Sequence, residues 1–97
     1  MNYAAELFHP HLNTPFFIQF QDKQQTELLL EEVKNQSSVN SSFHQFSLFF
    51  TGPHTDQLGQ GTYTLTHASL PEHAIFLVPV AKTEHGYRYQ ACFNIKK

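Results

Sequence analysis

Alternation with a period of two runs through most of this chain and constrains its fold more than any other feature. The last segment sets Tyr87, Tyr89, Ala91, Phe93 and Ile95 on one face, against Arg88, Gln90, Cys92 and Asn94 on the other. That is the pattern of a strand with one face buried. The same phase puts Phe16, Ile18 and Phe20 opposite Phe17, Gln19 and Gln21, and Phe46, Leu48 and Phe50 opposite Ser47, Phe49 and Thr51. Further on, Tyr63 and Leu65 share a face, with Thr62, Thr64 and Thr66 behind them. Residues 74 to 81, AIFLVPVA, are apolar in both phases, which reads as a strand covered on both sides. Pro79 within it marks an edge, a bulge or the end of pairing.

The stretch TELLLEEVK, residues 26 to 34, fits two periods. Leu28, Leu29, Glu32 and Val33 would line a helical stripe built from good helix formers. About nine residues between the turn-like QDKQQ and the polar run from 35 to 42 make a short helix, however. The strand reading turns Leu28 and Leu30 inward and needs a bulge near Glu31 and Glu32 to bring Val33 back to the core. Residues 35 to 42, all Ser, Asn and Gln apart from Val39, read as a flexible loop, and GPHTDQLGQG as a turn between strands.

Residues 1 to 13 behave differently. Ala4, Ala5, Leu7, Phe8 and Leu12 predict one or two helical turns ended by Pro10, with an apolar side suited to covering an open barrel end. The expected fold is therefore all-β: a small single-domain antiparallel β-barrel or roll of about six strands over residues 15 to 95, with a short N-terminal helical segment. A chain of 97 residues is one domain, and a domain of this size buries roughly 60 to 65% of its unfolded surface, enough for one core.

Charge excludes several roles. Only 14% of residues are charged and the net charge is -2, with Arg88 the single arginine, so a basic nucleic-acid footprint is missing. Cys92 is the only cysteine, which rules out an internal disulfide. The opening MNYAAELFHPHLN has neither a basic region nor an apolar run of signal-peptide type, and no stretch approaches the roughly eighteen apolar residues of a membrane span. A soluble cytoplasmic protein is expected, or one exported by a route that leaves no N-terminal mark.

Seven histidines are many for this length, and His9 and His11 stand one residue apart. A metal site needs three or four converging ligands with carboxylates behind them. His44, His54, His67, His73 and His85 are scattered over strand ends and loops, and Asp22 and Asp56 are the only aspartates. His9 and His11 remain the metal candidates, and surface or capping histidines the simpler expectation. Nucleophilic catalysis would need Cys92 or a serine beside an oriented histidine, and nothing in the sequence places one there. Glu31 and Glu32 are adjacent, so on a regular strand they point to opposite faces and cannot act on one bond. No phosphate-binding or hydrolase motif is present, and no cofactor is expected.

Several segments carry a resemblance. F.P.LNTPF from Phe8, LLLEEV from Leu28, FSLFFTGP from Phe46, LGQGTYTLTH from Leu58, IFLVPV from Ile75 and YRYQACFN from Tyr87 together resemble the small bacterial domain-of-unknown-function family 6916. The resemblance spans about residues 8 to 94. Its most specific pieces are Phe46 to Phe50 with Gly52-Pro53, Gln60 to Tyr63, and Phe76 to Val80. It brings no catalytic motif. It implies turn and core roles for these residues, and an association with genes for phage-tail-collar-like fibre proteins.

The functional expectation is a non-enzymatic protein-interaction or assembly module whose partner is another protein or a second copy, with a tail-collar-like fibre protein as one candidate. Phe17 and Phe49 are out of phase with the core and need a second cover, either the N-terminal segment or a partner. Thr62, Thr64 and Thr66 form a hydroxyl row suited to cross-strand pairing or to a partner's edge. A sheet that failed to close would also leave an edge for strand addition. The alternative is a small-ligand or metal-binding barrel whose mouth is lined by His9, His11, His67 and Tyr63.

Overall fold

The ambiguous LLLEEV stretch is a strand with a bulge at its centre. In a computed structural model describing residues 5–19, 25–35, 42–54 and 58–96, Gln25–Asn35 (β2) buries Thr26, Leu28 and Leu30. Its register against Phe43–Gly52 (β3) then slips between Leu30 and Glu32. The extra residue exposes both Glu31 and Glu32 and turns Val33 back to pack against the core. Such a local slip is what a bulge produces, and it bends the strand around a closing sheet.

The remaining strands are Pro15–Gln19 (β1), Gly61–Thr66 (β4), His73–Thr83 (β5) and Gly86–Lys96 (β6). All neighbours are antiparallel, and the sheet closes on itself in the order β1-β2-β3-β6-β5-β4. The expected all-β barrel with a short N-terminal helix is the observed architecture. Closure comes through two register pairs, Phe17↔Thr66 and Ile18↔Leu65. Each strand of the closed barrel has two neighbours, so none is a full edge of the kind anticipated for strand addition, although Gly61 to Thr64 of β4 pair only with β5 and β6 beyond Gln90 pairs only with β3.

The inward phase forms the core: Phe16, Ile18, Leu28, Leu30, Phe46, Leu48, Phe50, Leu65, Ile75, Leu77, Tyr89 and Ala91 are all buried. Fully burying one such side chain contributes about 1.5–3 kcal/mol, so this set supplies the main driving force for folding. Leu58 joins it from the loop before β4, its N–H donated to the Tyr89 hydroxyl at 2.8 Å.

One mouth of the barrel is plugged. β5 pairs with β6 only from Val78↔Gln90 to Thr83↔Gly86, with a bulge between Pro79 and Ala81 that accounts for the proline. Beyond Val78 the strands part, β5 pairing with β4 and β6 with β3. Phe8 fills this opening at the end of Ala5–Phe8 (α1). Its ring lies 6.1 Å from both Phe46 and Phe93 and edge-on to His73 at 5.7 Å. Pro10 falls inside the following 3-10 turn, His9–His11.

Three expectations need correction. The outer phase of residues 74 to 81 is uncovered: Phe76 is 49% and Val80 46% exposed. An outer layer would have to come from another element, and the described helix is a single turn directed into the mouth. Phe49 is covered by the Arg88 guanidinium, 4.5 Å from its ring centroid, and not by the N-terminal segment. His73 begins a strand yet is buried, its Nδ1–H donated to the Pro71 carbonyl. Phe20, Asp22, Val39 and Asp56, the side chains of His44 and Ile95, and most of the 35–42 loop lie outside the described residues.

Candidate interaction surface

Phase decides which residues of β4 face outward. Tyr63 and Leu65 pack toward the core, so Thr62 and Thr64 stand exposed, and Thr66 is half-buried with its hydroxyl donated to the Phe17 carbonyl at 3.4 Å. Register places the row between two aromatic rings. Thr66 lies opposite Phe17 on β1, and Thr62 opposite Phe76 on β5, with Thr64 opposite Ala74. Val78 continues the outer phase of β5 beside Gln90. The result is a surface from Phe17 across the threonines to Phe76 and Val78 on which β4 and β5 place no charged side chain, bordered by the exposed Glu27 opposite Phe17 on β2.

The structure separates the sequence candidates. Phe17, Thr62, Thr64 and Thr66 come together. Phe49 is on β3, three strands from β4 in either direction around the barrel. There the bulge has swung two adjacent carboxylates to one face: Arg88 reaches Glu32 Oε1 at 2.9 Å and Glu31 Oε1 at 3.5 Å while covering Phe49. Glu31 also accepts the Thr51 hydroxyl. The two carboxylates thus converge on a guanidinium. Sequence reasoning missed Phe76 and Val80 as surface residues. The signal was present, because a chain of this size with one short helix has no second layer to cover an apolar outer phase.

The histidine mouth is assembled only in part. His11 and His67 rings meet at 4.7 Å. Tyr63 donates its hydroxyl to the Gly59 carbonyl at 2.7 Å and stands four residues before His67, about 13 Å along the strand; His9 is exposed. His67 Nδ1 accepts the Ser69 N–H at 2.9 Å, so the neutral ring carries its proton on Nε2, which faces the Thr14 hydroxyl at 2.8 Å. Both nitrogens are thereby engaged, leaving no lone pair for a metal. Among the described residues no three His, Cys, Asp or Glu side chains converge to hold an ion. The Cys92 thiol is exposed and accepts the Ser47 hydroxyl at 3.7 Å, beside a surface groove bordered by Gln45 and Asn94. No helix of the described residues is long and apolar enough to cross a membrane.

These features define a class, the small closed antiparallel barrel with a plugged mouth and one outer face poor in charge. Within it the chain belongs to the family described as Domain of unknown function (DUF6916), whose model matches residues 3–93. No curated protein and no solved structure gives a match.

Proposed function

We propose that this protein is a non-enzymatic interaction module that recognises another protein through the outer face of β4 and β5. The observation that carries the reading is the exposure of Phe76 opposite Thr62 in the threonine row, with Val78 continuing the same phase, on a stretch of β4 and β5 that carries no charged side chain. Side chains of this kind exposed together mark contact surfaces, and hydroxyls at their flank satisfy a partner's polar groups as water is expelled. Because every strand has two neighbours and only short stretches are paired on one side, the reading is binding face to face and not by strand addition. The gene association implied by the family makes a tail-collar-like fibre protein the first partner to test.

Co-expression with such a fibre protein and affinity purification test the reading. Complex formation is expected to survive raised salt, since no ion pair carries it, and to be lost in the Phe76→Asp variant. Retention of the complex by folded Phe76→Asp protein would overturn it.

A further inference from the structure

His67 links the N-terminal plug to the loop that seats it. On one side its Nε2–H meets Thr14 Oγ1, which in turn donates to the His11 carbonyl. On the other, its Nδ1 accepts the N–H of Ser69, opening the loop that leads to Pro71. The Pro71 carbonyl takes the His73 Nδ1–H, and His73 packs edge-on against Phe8. One imidazole therefore fastens both the chain that carries Phe8 and the wall against which Phe8 rests.

We propose that His67 is a proton-operated latch: a second proton, on Nδ1, converts the acceptor of the Ser69 N–H into a donor and releases the plug from the barrel mouth. Two N–H groups then face each other at the distance of the former bond, so the ring or the 68–72 loop has to move. The proton comes from solvent, which reaches this half-buried ring.

Among the elements packed on His67, the 3-10 turn carries two titratable groups, His11 against the ring and the exposed His9, and the 68–72 loop carries the exposed Glu72. β1 and the residue before it contribute the Phe16 ring, centroid 4.5 Å away, and Thr14; the loop contributes Ser69. His73, the first residue of β5 after the loop, is the titratable group facing Phe8. Burial, and then the charge of His11, hold the His67 pKa below the ordinary 6.5. The folded state thus binds its proton less readily than the unfolded chain. The stabilisation is complete above the unfolded pKa of 6.5 and is lost as pH falls through the lower folded value.

The test is an NMR titration of the wild-type chain with amide exchange measured at about pH 7.5 and about pH 5, on either side of the histidine range. The Ser69 amide is expected to shift with the His67 midpoint. Protection factors across residues 5 to 14 are expected to fall several-fold while those of β3 and β6 hold. His67→Asn keeps an acceptor for the Ser69 N–H without taking the proton, and should flatten this pH dependence. His11→Gln should move the His67 midpoint upward. A Ser69 amide indifferent to His67 titration, or equal loss of protection in His67→Asn, would overturn the latch; the wild-type titration decides alone if the variant does not fold.

Discussion

Arg88 roofs Phe49: its guanidinium stands 4.5 Å from the ring centroid and is held there by Glu31 and Glu32, two neighbours that a bulge has turned to the same side. An aromatic that breaks the phase of its strand is thereby covered from a position 39 residues away. All three charged groups are partly exposed, so each ion pair is a weak stabiliser, and the ring contact adds a comparable amount.

Arg88→Ala is accordingly expected to lower stability by about 1 kcal/mol, read as a shift of the urea midpoint with an unchanged slope. Arg88→Lys should recover little of it, because a point charge replaces the planar fork. A midpoint equal to wild type in Arg88→Ala would show that Phe49 needs no roof.

Tyr89 presents a different kind of dependence. Its hydroxyl lies in the core and accepts the Leu58 N–H, pinning the loop before β4. Tyr89→Phe leaves that amide without its acceptor, at a cost of about 1–3 kcal/mol. Amide exchange should quicken at Leu58 well before the β3–β6 ladder is affected.

Gly86 is replaceable by nothing larger. It opens β6 with φ +144°, and a Cβ there would meet the Gly52 carbonyl oxygen at 2.0 Å. Gly86→Ala combines about 1–3 kcal/mol of backbone strain with displacement of β3. Denaturation curves should show a loss well beyond that of ordinary surface substitutions; a loss under about 0.5 kcal/mol, the range of ordinary surface changes, would contradict the tight approach of β6 to β3.

Most of the barrel was legible because period two leaves little choice. From Phe16 to Phe93 the inward residues are the ones alternation assigns, and the bulge at Glu31 was readable because only an extra residue reconciles Leu30 with Val33. Phe8 as a plug followed from an apolar run too short to fold alone. Closure did not follow, since it rests on two pairs between β1 and β4 whose sequence separation local pattern does not sense. Burial on both faces of residues 74 to 81 was misjudged for a related reason: hydrophobicity reports what prefers to leave water, not whether a second layer exists to receive it. The meeting of His67 with Thr14, 53 positions apart, is likewise a product of the closed topology alone.

The central claim is that the β4–β5 outer face is where a partner sits. The most direct measurement places a photo-crosslinking amino acid at Thr64, and separately at Glu32 on β2, in cells co-expressing a tail-collar-like fibre protein, the partner proposed above. The account predicts a defined cross-link to that protein from position 64, abolished by Phe76→Asp, and none from position 32. Cross-linking from 32 but not 64, or an unchanged product in the folded Phe76→Asp background, would contradict it.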